Sequence, residues 1–176
     1  LSATVPNIHE LAQWMGTVRG SEFTIIEETH RPVPLQHYFY SPKFGIMNLK
    51  GVKRKYRSNP AERKKFLRRK PSSKRIVEYV LNHGQIPILY FCFNRRSCEY
   101  NAEQHSTLNL LSEEERLKVH AMVDELVAQY NLQDYERLPY LRGLWEAGTA
   151  FHHAGILPAA KEIVERIFTE GLIKLL

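Results

Sequence analysis

Hydrophobic residues in this chain never run for the ~18 positions that a membrane-spanning helix needs, so no membrane role is expected. Cysteine is scarce too. Only Cys92 and Cys98 are present, too few for a disulfide framework, and reduced thiols of the kind kept in the cytoplasm are expected. The opening residues carry neither a basic flank nor a long apolar stretch, so they do not read as a secretory leader. No Gly-x-x-x-x-Gly-Lys-Ser/Thr loop occurs, which removes the Walker-type cradle for a triphosphate. No close pair among His120, His152, His153, Cys92 and Cys98 has structural zinc spacing, so no metal site is expected. There is no internal repeat.

Acidic residues are nearly missing from one stretch. Between Lys43 and Arg75 there are 14 Lys and Arg against the single acid Glu62, a local net of +13, whereas the remainder carries −7 and the whole chain +6. The run includes Lys53, Arg54, Lys55 and Arg57, then Lys64, Lys65, Arg68, Arg69 and Lys70. Such a segment suits a polyanion, because each phosphate it neutralises releases condensed counterions and makes binding salt dependent. A solvated insertion without a fixed partner has the same composition.

What is present is ordinary for a folded domain: 176 residues, 43% hydrophobic and 25% charged. Helical spacing of apolar residues is expected near residues 8–16, after Ser72 through Ile76, Val77, Val80 and Leu81 to about Gly84, and after Asn94. A stronger helix should start at Ser112, a cap followed by Glu113, Glu114 and Glu115, and another should cover residues 133–146. Strands are expected near 23–27 and 35–40, and residues 86–93 form a nearly continuous apolar run of the kind covered on both faces in a parallel sheet. Residues 149–151 read as a short strand, Pro158 as the first turn of a helix, Gly171 as its stop, and 172–176 as a further apolar run. This is a βαβ unit, and the alternation along the chain predicts an α/β fold with an open, mainly parallel sheet between helical layers.

Helix starts at the carboxyl ends of parallel strands bind phosphate through free N–H groups and the helix dipole, so the loop 152–157 is a candidate contact for a nucleic-acid backbone. Within it, Gly155 permits close main-chain approach, with His153 and Ala154 beside it and Lys161 in the following turn. Arg95 and Arg96 follow a strand end, where an Arg can clamp phosphate or pair with an acid. Phe91 and Phe93 read as core.

Four blocks of residues resemble one family. Ser2-Ala3-Thr4 opens the chain, followed by Thr29-His30-Arg31-Pro32-Val33-Pro34-Leu35; then come Phe91-Cys92-Phe93-Asn94-Arg95 with Glu99, and Phe151-His152-His153-Ala154-Gly155-Ile156-Leu157-Pro158. In this order they are similar to superkiller-like DExH-box helicases of superfamily two, from the third motif to the start of the fifth. The departure is Asn94, where Ser is usual. The resemblance implies RecA-like domains: residues 1–31 as the tail of the first with its linker, and 32–176 as the front of the second, with a basic insertion at 41–71. It implies that Ser2 and Thr4 couple ATP hydrolysis to unwinding, that Arg95, His153, Ala154, Gly155 and Lys161 contact nucleic acid, and that Lys53, Arg54, Lys55 and Arg57 are auxiliary contacts. It also implies ATP and Mg2+ as cofactors, held by residues outside this fragment, so that the fragment alone is inactive as an ATPase. The implied activity is ATP-dependent 3′-to-5′ RNA unwinding in RNA processing, with single-stranded nucleic acid, RNA first, as the partner, in the cytoplasm, or the nucleus of a eukaryote. A repair-type DNA helicase and a non-catalytic nucleic-acid-binding adaptor are the alternatives.

Overall fold

A computed structural model describes residues 5–57, 61 and 72–176. Ser2, Thr4 and the second half of the basic stretch, Lys64 to Lys70, lie outside the described residues. The chain divides into two units, Leu1–His37 and Tyr38–Leu176.

In the first unit, helix α1 (Ile8–Arg19) has Glu10 in its first turn and Arg19 in its last, each charge matched to the helix dipole. It ends where Gly20 adopts φ 75° and donates its N–H to the Gly16 carbonyl at 2.8 Å. The helix therefore runs through Gly16, the expected stop, because only Gly20 takes the left-handed cap. Residues 23–27 are not a strand. They have no neighbouring strand in their unit among the described residues, and Ile26 is 95% exposed.

The second unit opens with a hairpin, β1 (Tyr38–Ser41) and β2 (Gly45–Asn48), antiparallel with Tyr38 opposite Asn48 and Ser41 opposite Gly45. The strand expected at 35–40 is shifted toward Ser41. The chain turns into helix after Asn48, so the ladder ends at the Tyr38–Asn48 pair. Helix α2 (Leu49–Arg57) follows, capped by Asn48, whose Oδ1 accepts the Gly51 N–H at 2.8 Å. Arg54, Lys55 and Arg57 fall in its last turn, where the dipole favours cations. The first half of the basic stretch is thus a helix joined to a hairpin. Helix α3 (Ser73–Asn82) starts from the Ser72 hydroxyl, which accepts the Arg75 N–H at 3.4 Å.

Helices α4 (Arg95–Ser106), α5 (Glu113–Gln129), α6 (Leu138–Glu146) and α7 (Pro158–Thr169) build the core with the apolar segments near 150 and 173. Val119, Val123, Trp145, Phe151, Ile163, Ile167 and Ile173 are fully enclosed, each worth roughly 1.5–3 kcal/mol of burial. At α5 a complete capping box forms: Ser112 Oγ accepts the Glu115 N–H at 3.2 Å, and Glu115 Oε2 accepts the Ser112 N–H at 2.9 Å. Helix α6 begins at Leu138 rather than near 133, because Pro139 lacks an N–H and is tolerated only in the first turn.

The three apolar segments expected as parallel strands lie side by side. Leu175 pairs in parallel with Ile88 on one side and Thr149 on the other. The Ile88 N–H donates to the Lys174 carbonyl at 2.8 Å, and Tyr90 N–H to the Leu176 carbonyl at 2.7 Å. These are isolated parallel bridges, so the expected parallel sheet is not formed as such; the sheet that is formed is the antiparallel hairpin. Phe91 and Phe93 stand 88% and 107% exposed rather than in the core. Among the described residues no helix is long and apolar enough to cross a membrane.

Candidate nucleic-acid interface

Because the pairings at Ile88 and Thr149 are both parallel, the segments leave on the same side, one into α4 and the other into the loop 152–157. The first turn after residue 93 is fixed by Asn94. Its Oδ1 accepts the Ser97 N–H at 2.8 Å, so the side chain that replaces the usual Ser does the work of a helix cap. Arg95 and Arg96 are thereby held exposed in the first turn of α4, and Glu99 lies one turn on, half-buried.

Glu99 ties three elements together. Its Oε2 accepts from Arg137 Nη2 at 2.7 Å, and its Oε1 accepts from His153 Nε2 at 3.0 Å and Arg137 Nη1 at 3.4 Å. Arg137 stands just before α6 and packs its guanidinium against the Tyr140 and Phe151 rings, 5.7 and 5.9 Å from their centres. The Arg137 guanidinium, with a smaller share from His153, holds the Glu99 carboxyl below its usual range, and the same pair raises Arg137.

His153 is fixed in tautomer by its neighbours. The Gly155 N–H donates to His153 Nδ1 at 3.0 Å, so the lone pair is on Nδ1 and the proton on Nε2, where it faces Glu99. The ring stacks on Phe151, with centroids 5.2 Å apart and planes 18° from parallel. A Cβ on Gly155 would sit 3.2 Å from Arg95 Nη1 and 3.2 Å from His153 Nδ1, so only glycine lets the guanidinium lie this close to the backbone. Beside this cluster is a groove of about 390 Å³ lined by Phe91, Phe93, Arg95, His152 and His153 among others.

Of the sequence-predicted residues, the structure brings Arg95, His153 and Gly155 together, with the exposed Ala154 between the last two. Lys161, half-buried in the first turn of α7, shares no hydrogen bond with them among the described residues. His152 points away and pairs with Glu165 at 2.9 Å. Lys53, Arg54, Lys55 and Arg57 are on α2, where Lys55 Nζ lies 4.9 Å from the Phe44 ring centre. Arg137 was missed by sequence reasoning. Nothing in its local pattern, Asp134-Tyr135-Glu136-Arg137, marks it, since its partner Glu99 is 38 positions away.

No family model matches the chain. Individual proteins do, and they are helicases. An uncharacterized helicase of Schizosaccharomyces pombe is 31% identical across 100% of this chain and 19% of its own length. Superkiller complex protein 2 of Homo sapiens is 29% identical across 100% of this chain and 17% of its own, and the ATP-dependent RNA helicase mtr4 of Schizosaccharomyces pombe is 29% identical across 100% and 18%. Over the stretch it spans, the chain belongs to the superkiller-like DExH helicases. It spans about a fifth of the length of these curated relatives.

Proposed function

We propose that this chain is the part of an ATP-dependent RNA helicase that grips one strand of nucleic acid by its backbone, translocating 3′ to 5′ during RNA processing. The observation that carries the reading is the meeting of Arg95, His153 and Gly155 on one side of the paired segments, with the Glu99 carboxylate engaged by Arg137 and His153 rather than by Arg95. Arg95 has no acidic partner among the described residues and lies against a backbone that a phosphate can approach. Contacts of this kind read the backbone rather than the sequence, and stepping along a strand requires that. RNA is favoured over DNA by the relative named as an RNA helicase.

Residues of this chain do not fit a nucleoside triphosphate or Mg2+: it has no Walker-type loop, and the described residues hold no cluster of three metal-ligating side chains. In this reading those ligands belong to the rest of a longer polypeptide, residues 1–31 and 32–176 belong to successive RecA-like domains with a parallel sheet completed around residues 86–93, and Ser2 and Thr4 transmit hydrolysis between them. The chain by itself turns over no ATP. The deciding experiment measures ATPase activity of the longest natural polypeptide carrying this chain, with matched single-stranded RNA and DNA. Stimulation by RNA is expected; stimulation by DNA alone replaces the reading with a repair-type helicase, and no turnover with either leaves a binding adaptor.

A further inference from the structure

From Tyr38 to Arg57 the chain has no acidic residue, and its cations are sorted by face. Helix α2 turns ~100° per residue, so Lys50, Lys53, Arg54 and Arg57, spaced i, i+3, i+4 and i+7, fall within an arc of ~100°. All four are exposed. The other side of the helix faces the hairpin: Gly51 and Val52 are half-buried, a Cβ on Gly51 would sit 3.5 Å from Met47 Cβ, and Lys55 Nζ lies over the Phe44 ring. The hairpin is anchored in turn on α3. Tyr40 packs edge-on against Tyr79 with centroids 5.3 Å apart, and the Tyr79 hydroxyl would stand 2.7 Å from a Cβ on Gly45, whose φ of 67° suits glycine. Four cations are thus held on one side of a helix whose other side is committed to packing, although like charges at i, i+3 and i, i+4 repel one another. A ligand with several negative charges relieves that repulsion.

We propose that this arc binds the phosphate backbone of duplex RNA. Surfaces that hold single strands combine cations with aromatic rings on which bases stack, and the four positions of the arc offer cations alone. Paired bases need no such rings. The minor groove of an A-form duplex is wide and shallow, so a helix about 10 Å across can lie on it and reach phosphates of both strands with long side chains on its two flanks. Lys53 stands at one edge of the arc and Arg54 at the other, with Lys50 and Arg57 between them and ~10 Å apart along the axis. Such an arrangement reads phosphate positions rather than sequence. The choice of RNA over DNA rests on the function proposed above, and the arc deepens that reading: the paired part of a substrate is held by a different set of residues from the loop of Arg95, His153 and Gly155 that takes the single strand.

The test takes the longest natural polypeptide carrying this chain and measures its binding to a labelled RNA duplex of about 16 base pairs, and to a single strand of the same length, by fluorescence anisotropy across a salt series. Replacing Lys50, Lys53, Arg54 and Arg57 together by Gln is expected to lower the slope of log affinity against log salt by about 3 for the duplex and by less than about 1 for the single strand. An unchanged duplex slope, or an equal loss on both probes, overturns the proposal. Lys43→Gln removes a cation of the same basic stretch outside the arc and is expected to leave the duplex slope unchanged; a loss of about 0.9 there overturns the role of the arc. Acetylation of the unaltered polypeptide is independent of any variant's folding: the duplex should protect Lys50 and Lys53, read by mass spectrometry, and no protection overturns the site. Displacement of the duplex by poly-glutamate of equal charge overturns the assignment to nucleic acid in favour of an acidic protein. Failure of the single-strand grip shows separately, as an Arg95→Gln polypeptide with full affinity for the single strand.

Discussion

Glu99 has a structural task and, through His153, a functional one. Its carboxylate accepts from both Arg137 and the His153 ring, so Glu99→Gln leaves Arg137 without this charged partner and should cost about 1 kcal/mol at neutral pH. Since the folded-state pKa is depressed, the contribution is fully present above the ordinary carboxylate range and is lost as the pH falls through the lowered value. Melting temperatures of wild type and variant should therefore differ at neutral pH and converge on acidification. Gly155 separates stability from binding. Gly155→Ala places a methyl 3.2 Å from Arg95 Nη1, which the exposed guanidinium can yield to, and 3.2 Å from the His153 ring, which Glu99 and Phe151 hold, so stability should fall by only a few tenths to about 1 kcal/mol. Affinity for single-stranded RNA, measured by fluorescence anisotropy, should fall about fivefold, on the order of 1 kcal/mol.

Among the elements, α5 owes its start to a reciprocal pair of hydrogen bonds, and Ser112→Ala removes one of them for about 1 kcal/mol, visible as a lower denaturation midpoint in urea. That helix was legible in the sequence because cap, acids and apolar spacing all agree. So were α3, α4 and α7, the first two marked by a cap residue before the helix and the last by Pro158 in its first turn. The start of α6 was not, since apolar spacing continues back through Leu132 and only Pro139 sets the boundary. The second hairpin strand and α2 were hidden for different reasons: four residues, Gly45–Asn48, are too few to show alternation, and in α2 a dense run of positive charge obscures the helical period. In the candidate site, Arg95, His153 and Gly155 were legible because each lies in a short block next to a strand end. Arg137 depends on a partner 38 positions away, which no local pattern contains.

For the molecule as a whole, the proposed grip on nucleic acid, given the unequal distribution of charge, is expected to weaken with salt. If α2 joins the contact, replacing Lys53, Arg54, Lys55 and Arg57 by Gln should reduce the slope of log affinity against log salt by up to about 3, while replacing Arg95 alone should reduce it by about 0.7. An unchanged slope in the fourfold variant removes α2 from the interface. The parallel pairing of residues 88, 175 and 149 has a further consequence, for engineering. All chemistry gathers where these segments end, which leaves the turns at their beginnings unoccupied. Gly84 and Gly171, with φ of 67° and 71° and nothing within 4 Å of an added Cβ, mark two such turns, whereas Gly148 at the third abuts Leu111 at 2.9 Å. An inserted loop that keeps these glycines therefore has room at two points of this scaffold and none at the third, whereas replacing either glycine by a dye-bearing residue strains a left-handed backbone.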